Sequence, residues 1–275
     1  MSFRYSGGWL QTGGFNPLVA PTPSYQPYLY TWGGNGNGQL GLGNRTGYSS
    51  PKQVGALTNW SSVACGFNFT ISVKTNGTLW GWGANTLGQL GDGTAVTKSS
   101  PVQIGTLTNW SSVSCDDATT YAVKTDGTMW AWGKNTVGQV GDGTTTVRSS
   151  PVQVGTLSTW TYVSCGYGHT LAIQTPGTLW AWGYNATGQL GQSNTTNYSS
   201  PVQTVAAGNN WKLVSSGYYH TAATKTDGTL WTWGINARGQ LGTGDNNAYS
   251  SPVQTISGGT NWKFISSGAY HVAAI

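Results

Sequence analysis

The sequence predicts an all-β protein, a single five-bladed β-propeller built from four-stranded blades. Three observations lead to this prediction: a composition typical of strands and turns, a unit that occurs five times, and four strand-like segments in each unit. The 275 residues include 42 Gly, 15 Trp and 14 Tyr, whereas only 7% are charged and none is Glu. Long helices usually draw on Glu, Lys, Arg, Ala and Leu, so this composition favours strands and turns.

One motif marks the five units. Leu-Trp-x-Trp-Gly, or a close variant, begins at Leu29, Leu79, Met129, Leu179 and Leu230, so successive units start 50 or 51 residues apart. Gly-Gln-Leu/Val-Gly follows in each unit, then Ser-Ser-Pro, and then a lone Trp that opens the next strand. Repeats of this length are typical of solenoids and propellers.

Each unit divides into four predicted strands. Residues 110–115 alternate with a period of two, as a half-buried strand does. Residues 120–124 and 128–132 flank Asp126-Gly127, a strong hairpin signal because the tight turn needs a positive φ. Residues 101–104 form a short outer strand, since their leading Pro lacks an N–H and is tolerated at a sheet edge. The tandem Trp residues supply apolar area for packing between blades.

The first and last repeat elements are complementary fragments of one unit. The last unit stops at residues 271–275 and lacks the hairpin arm Thr-Asp-Gly-Thr-Leu-Trp-x-Trp-Gly, whereas residues 28–33 supply such an arm at the other end. We therefore predict that the N-terminal strand pairs into the last blade and closes the propeller. Closure would remove the exposed sheet edges that invite aggregation.

Two segments are predicted from this pattern. Residues 28–275 form the propeller, with repeats starting near 29, 79, 129, 179 and 230, and residues 1–27 form a short Gly/Pro-rich arm that does not repeat. Such an arm cannot build a core of its own, so we predict that it anchors the protein to a partner. The alternative is an arm packed on its own propeller. The predicted partner-binding residues are Phe3, Tyr5, Trp9, Leu10 and Phe15.

The repeat resembles that of the regulator of chromosome condensation family. LWAWGYNATGQLG at 179–191 and VSCGYGHTLA at 163–172 carry the resemblance, which extends over residues 29–275. It implies a propeller, usually of seven blades, from which this chain departs with five. Family members include a nucleotide-exchange factor for a small GTPase that docks on chromatin, and inhibitors that cap β-lactamases. Repeats this regular and low in charge also look like those of bacteriophage virion proteins, although a fold alone transfers no function.

Histidines and cysteines recur at equivalent positions of the repeat. His169, His220 and His271 share one position, where a metal site is conceivable but a structural ring that hydrogen-bonds within its own blade is favoured. Cys65, Cys115 and Cys165 share another, and their odd number does not indicate a disulfide framework. Small buried residues near the propeller axis are the favoured interpretation of the cysteines.

Acidic residues offer little evidence of catalysis. Asp92-Gly93 and Asp142-Gly143 could suggest calcium, but turn chemistry explains them better because neither matches a spaced ligand loop. Asp116-Asp117 departs from the repeat, and a local surface feature is favoured over paired catalytic carboxylates. We predict no catalytic, cofactor-binding or metal-binding residues.

The net charge of +5 reflects few acids, since the 12 Lys and Arg are scattered singly. We therefore predict no nucleic-acid partner. No stretch reaches the ~20 apolar residues of a membrane span, and the first residues lack the apolar region of a signal peptide, so we expect no membrane insertion.

The predicted function is that of a non-enzymatic structural or binding protein. The favoured role is a bacteriophage virion component, decorating a capsid or acting in tail adhesion, made in the host cytoplasm and located in the virion. Its partners would be other virion proteins or copies of itself through the arm, with a host surface receptor or glycan as a further candidate. The alternative is a propeller module that binds a soluble protein, as an enzyme inhibitor or GTPase regulator does.

Overall fold

The structure is a computed structural model that describes residues 28–56, 59–206 and 208–275. Every regular element in these ranges is a β-strand. No helix in this part of the chain has the length and apolar character needed to cross a membrane. The predicted all-β propeller of four-stranded blades is confirmed.

Four complete blades lie between two half-blades. The first half-blade comprises β1 (Tyr30–Gly33) and β2 (Tyr48–Gln53). The complete blades are β3–β6 (Trp60–Cys65, Phe69–Lys74, Leu79–Gly83, Lys98–Gln103), β7–β10 (Trp110–Cys115, Thr119–Lys124, Met129–Gly133, Arg148–Gln153), β11–β14 (Trp160–Cys165, His169–Gln174, Thr178–Gly183, Tyr198–Gln203) and β15–β18 (Trp211–Ser216, His220–Lys225, Leu230–Gly234, Tyr249–Gln254). The last half-blade comprises β19 (Ile265–Ser267) and β20 (Val272–Ala274).

The strands of each blade are antiparallel neighbours in chain order, and the predicted turns join them. In the second complete blade, Gly127 adopts a φ of 78°, and Asp126 Oδ1 accepts hydrogen bonds from Thr128 N and Oγ1 at 2.9 and 2.7 Å. The predicted outer strand also lies at the edge, but it starts earlier, at Lys98. The register of β5 with β6 shifts near Pro101, which is where a residue without an N–H is tolerated.

The first strands of successive blades lie side by side around the axis, so β3 neighbours β7, β11 neighbours β15, and β15 neighbours β19. Side chains join them: Ser216 N donates to Ser164 Oγ at 3.0 Å, and Ser267 N donates to Ser215 Oγ at 2.8 Å. Blade order in space therefore follows chain order.

A buried Trp locks each complete blade onto the unit before it. The indole Nε1 donates to a Gln main-chain oxygen of the preceding unit at 2.9–3.0 Å, and each of these Trp side chains is 0% exposed. The pairs are Trp82 with Gln39, Trp132 with Gln89, Trp182 with Gln139 and Trp233 with Gln189. We call this contact the interlock. It requires glycine beside the indole, because a Cβ at Gly91 would lie 2.5 Å from Trp132 Nε1.

A buried Asn holds the loop that carries each Gln. Asn85 Oδ1 accepts from Leu90 N at 2.9 Å, while its Nδ2 donates to Asp92 Oδ1 at 2.9 Å and to Thr94 O at 3.1 Å. Asn35, Asn135, Asn185 and Asn236 accept the equivalent amide bond at 2.9–3.0 Å. The Asn of the Trp-Gly-x-Asn motif is therefore a scaffold residue that presents the Gln carbonyl to the next blade.

The predicted closure of the propeller by the N-terminal strand is not what the structure shows. β1 pairs with β2, and β20 pairs with β19, in two separate two-stranded sheets. Trp32 of β1 is 59% exposed, although the equivalent Trp of every complete blade is buried. Within the described residues, no strand ladder therefore joins the first half-blade to the last.

The interlock predicts a specific cost for a methyl group at Gly91. Gly91→Ala should destabilise the protein by about 1–3 kcal/mol more than Gly105→Ala, because only the first Cβ overlaps an indole. Gly105 is a matched control: its φ of 62° is also positive, but a Cβ there meets nothing within 4 Å. The measurement is the free energy of unfolding in urea. Equal destabilisation by the two substitutions would show that the close packing at Gly91 is unimportant.

Candidate functional site

The turns between the first and second strands of successive units gather at one end of the axis. They read Gly-Phe-Asn, Asp-Asp-Ala, Gly-Tyr-Gly, Gly-Tyr-Tyr and Gly-Ala-Tyr, so they differ from one another while the flanking strands repeat. Together they line a cavity of about 500 Å³. Its lining includes Phe67, Asp117, Tyr167, Tyr218 and Tyr270. A variable part of the repeat therefore converges on one site.

Main-chain hydrogen bonds connect neighbouring turns. Phe67 N donates to Asp117 O at 3.2 Å, and Tyr167 N donates to Tyr218 O at 3.2 Å. Tyr218 N in turn donates to Ala269 O at 3.3 Å. These bonds hold the turns at fixed spacing, so the side chains that they carry form a continuous surface.

A glycine beneath a ring forms the floor of these turns. A Cβ at Gly166 would overlap the ring of His169, and Gly217 stands in the same relation to His220. The two rings are 0% exposed. The burial of His169 and His220 supports the structural role predicted for them, whereas His271 is exposed. The prediction was a hydrogen bond within the same blade, but one contact of His169 crosses to the next blade, where its Nε2 lies 3.5 Å from Thr221 Oγ1.

In the second complete blade, the side chain of Asp116 occupies the space that the ring occupies in the other turns. Its turn has Asp in place of the glycine, and Thr119 in place of the ring. Asp116 is 2% exposed, and its Oδ1 accepts from Ala118 N at 3.0 Å and from Thr119 N at 2.7 Å. The departure from the repeat thus replaces two residues together: Asp116 stands in place of the glycine and Thr119 in place of the ring, and the Asp116 carboxylate caps the turn. Asp117 points a second carboxylate at the cavity instead.

Six aromatic residues form what we call the aromatic face: Phe67, Tyr167, Tyr184, Tyr218, Tyr219 and Tyr270. Tyr218 is central, since its ring centroid lies 5.2 Å from that of Tyr167, 6.0 Å from Tyr219 and 5.5 Å from Tyr270. Phe67 is 67% exposed and Tyr270 is 41% exposed. Rings in tilted or edge contact make a rigid apolar platform with hydroxyl groups at its surface.

Charged groups border the aromatic face. Lys134 Nζ lies 3.4 Å from Asp117 Oδ2 and 5.5 Å from the centroid of the Tyr167 ring. Arg238 Cζ lies 4.5 Å from the centroid of the Tyr270 ring. Each cation therefore contacts the face of a tyrosine, an interaction worth about 0.5–1 kcal/mol at exposed sites.

The hydroxyl of Tyr219 stays protonated at neutral pH. Partial burial raises its pKa above the ordinary value, and the neighbouring phenols of Tyr167, Tyr184, Tyr270 and Tyr218 raise it further. Tyr219 consequently presents a neutral hydroxyl group, which both donates and accepts hydrogen bonds.

The cysteines and histidines do not assemble into a metal site within residues 28–56, 59–206 and 208–275, where no three His, Cys, Asp or Glu residues cluster. Cys65, Cys115 and Cys165 are free thiols. Cys165 is buried as predicted, but Cys65 is exposed, so burial is not shared by all members of this position.

The predicted partner-binding residues Phe3, Tyr5, Trp9, Leu10 and Phe15 lie outside the described residues, and the boundary between arm and propeller near residue 27 stays a prediction. Sequence reasoning missed the aromatic face. A signal was present, since Tyr167, Tyr218 and Tyr270 occur where the repeat varies, but their proximity follows from the circular order of the turns.

Comparison with known proteins assigns the repeat. A family model described as the RCC1-like domain matches residues 24–274. Human WBSCR16 is similar at 23% identity with a TM-score of 0.76, over 90% of this chain and 66% of that one. Prp20p from Saccharomyces cerevisiae is similar at 22% identity and 0.76, over 92% and 65%. Yeast RCC1 (Prp20), in a structure with Kap60, gives 20% and 0.76, over 97% and 70%.

The chain thus spans about two thirds of the length of these similar structures.

Burial of His220 predicts a pH dependence of stability. Burial, together with the nearby charge of His271, lowers its pKa from 6.5 to about 4. Between those values the unfolded chain binds a proton that the folded protein does not, so stability should fall by about 3 kcal/mol as pH drops from 6.5 to 4.

His220→Phe is the matched variant, because Phe69 fills the equivalent position in another blade. The variant should lose the part of the pH dependence of stability that His220 causes. Its circular dichroism spectrum should be that of the folded wild type. Urea unfolding at several pH values between 4 and 7 measures the difference. An unchanged slope in the variant would contradict the assignment to His220.

Proposed function

The chain belongs to the RCC1-like domain family, and from this premise we propose that it is a non-enzymatic binding module whose aromatic face contacts a partner protein. The observation that carries the proposal is the convergence of Tyr167, Tyr218 and Tyr270 around one cavity. These residues stand at positions that the repeat leaves free, whereas the scaffold positions stay nearly constant from unit to unit.

The composition of the aromatic face supports protein recognition. Tyr and Arg are enriched at the centres of protein interfaces, where they account for much of the binding energy. Here a tyrosine cluster lies beside Arg238, Lys134 and Asp117, so an apolar centre has a polar border. Because the rings already contact one another, little side-chain freedom is lost when a partner binds.

The similar structures are consistent with this reading. The work on Prp20p concerns its binding to Gsp1p and histones, and yeast RCC1 was solved bound to Kap60. Those partners are partners of the yeast proteins. The sequence identity of this chain to them is below 25%, so no specific partner is transferred to it. What we propose for this chain is the shared mode of action, recognition of another protein by a propeller.

The virion role remains a separate proposal. It is supported by the regularity and low charge of the repeats, and none of the similar proteins favours it over the module that binds a soluble protein. In that role the arm with Phe3, Trp9 and Phe15 would anchor the protein in a particle, and a host receptor or glycan would bind the propeller.

The binding role predicts that two tyrosines dominate partner affinity. A protein carrying Tyr167→Ala and Tyr218→Ala should bind the partner at least about tenfold more weakly, because hot-spot side chains contribute 2 kcal/mol or more. The partner is first captured by the wild-type protein and identified, and its purified form is then titrated by calorimetry.

The matched control carries Val96→Ala and Leu107→Ala, two exposed apolar residues away from the aromatic face at 59% and 48% exposure. It should bind as the wild type does. Equal affinities for the wild type and both double variants would refute the aromatic face as the binding site.

The virion role predicts a different result. Deleting residues 1–24 should abolish co-purification with assembled particles, because the arm would be the anchor, while leaving the propeller folded. Normal incorporation of the truncated protein into particles would contradict the anchoring role.

A further inference from the structure

A pocket of about 420 Å³ lies at the junction between the β2 unit and the first complete blade. Its lining combines the side chains of Trp60 and Trp80 with the glycine loop at residues 41–43, the end of β2, and the side chains of Ser100 and Pro101. A mainly apolar pocket of this size, with a few polar groups in its lining, is the usual form of a small-molecule site.

One charged residue lines this pocket among the described residues, and it is Lys74. Lys74 is 5% exposed, and its Nζ lies 3.6 Å from the centroid of the Trp80 ring and 4.8 Å from that of Trp60. The ion pairs between described residues do not include it, and burial lowers its pKa below the ordinary value. A nearly buried positive charge without a counter-ion is costly, so the pocket favours an anion.

The pocket at the next junction repeats this lining with different charges. It has a volume of about 340 Å³ and contains Trp110 and Trp130 at the positions of the two rings. Asp92 lines it, at the position where the first pocket has Leu42. The first pocket therefore lacks a carboxylate that its repeat contains.

A second carboxylate is absent from the hairpin beside the first pocket. Lys124 is the counterpart of Lys74, and the negative charge of Asp126 raises the pKa of Lys124 against the effect of burial. Asn76 stands at the position of Asp126, so Lys74 has no such neighbour. Together with Leu42, this replacement leaves the first pocket positively charged. We call it the Lys74 pocket.

The edges of the Lys74 pocket do not suit an extended peptide. A peptide that binds by strand addition needs a row of main-chain N–H and C=O groups along an outer strand. Pro51 in β2 and Pro101 in β6 each lack an N–H in the outer strands on either side of the junction. These strands therefore favour an occupant that lies on the rings over one that extends a sheet.

We propose that the Lys74 pocket binds an acidic sugar, a hexuronic acid unit of a glycan. The sugar carboxylate accepts hydrogen bonds from Lys74 Nζ, the C–H groups of the sugar ring pack on the half-buried Trp80, and the sugar hydroxyl groups bind the side chains of Gln53 and Ser100, which also line the pocket. A sugar acid combines an anionic group, an apolar ring face and several hydroxyl groups, and the lining offers a partner to each of the three. The site is separate from the aromatic face.

Titration of the 275-residue protein with glucuronate tests the proposal, with the indole N–H signal of Trp80 followed in ¹H–¹⁵N NMR spectra. The signal should shift and reach a plateau. Glucose has a similar ring without the carboxylate, so it should bind at least about tenfold more weakly because the hydrogen bond between charged groups is lost. Added salt should weaken the binding of glucuronate and not that of glucose.

Lys74→Gln is the main variant, since Gln174 at the equivalent position of the third complete blade shows that this fold accommodates the change. It should bind glucuronate at least about tenfold more weakly than the wild type does. Lys124→Gln is the matched control, because it removes the equivalent cation from the next blade. It should bind glucuronate with the affinity of the wild type.

Asn76→Asp tests the charge balance through a residue outside the pocket lining. Asp126 and Asp227 occupy the equivalent turns and cap them, so the hairpin accommodates Asp at this position. The new carboxylate should weaken the binding of glucuronate by about two- to fivefold, because it competes with the sugar for the charge of Lys74. The affinity for glucose should not change.

Four results would overturn the proposal: no shift of the Trp80 signal with glucuronate, equal affinities for glucose and glucuronate, equal losses in Lys74→Gln and Lys124→Gln, or tighter binding of an acidic peptide than of glucuronate. The last result would assign the pocket to a protein partner. The protein carrying Tyr167→Ala and Tyr218→Ala should bind glucuronate as the wild type does, so the outcome for the aromatic face and the outcome for the Lys74 pocket are independent.

Discussion

The interlock between a buried Trp and a Gln main-chain oxygen is the contact on which the architecture depends. It joins units that share no strand pairing, and it combines a desolvated hydrogen bond with the packing of an indole on glycine. A buried donor left without its acceptor would be costly, so the contact admits little variation in geometry. Four copies, from Trp82 to Trp233, therefore join each complete blade to the unit before it in the same way.

Local features of the fold were predictable from the sequence, whereas the pairing of the first and last strands was not. Hairpins such as that at Asp126-Gly127 depend on a few adjacent residues, and the outer strand with Pro101 depends on one missing N–H. Closure instead depends on the angle between successive blades, which a sequence pattern does not give. Counting fragments predicted that the two half-blades pair, but they lie in separate sheets. That is why the prediction that β1 closes the propeller on β20 was wrong.

The candidate site shows the same division. The histidines were recognised as structural, since His169 and His220 recur with the glycines beneath their rings. The coupled replacement at Asp116 and Thr119 was visible only as a departure, because its cause is shared volume in three dimensions. Predicting the aromatic face would have required both the repeat and the departures from it. The repeat fixes where each turn lies, and the residues that escape the repeat, such as Tyr218, are then free to specify a partner.

The central claim is that β1–β2 and β19–β20 are separate sheets within one chain, so that β1 and β20 do not pair with each other. Hydrogen exchange of the dilute monomer measures this directly, because edge amides without partners exchange quickly while those in paired strands are protected. We expect rapid exchange in β20 and slow exchange in β4, β8, β12 and β16, the equivalent second strands, because these four are paired on both sides. Protection of β20 equal to that of those four strands in the monomer would contradict it.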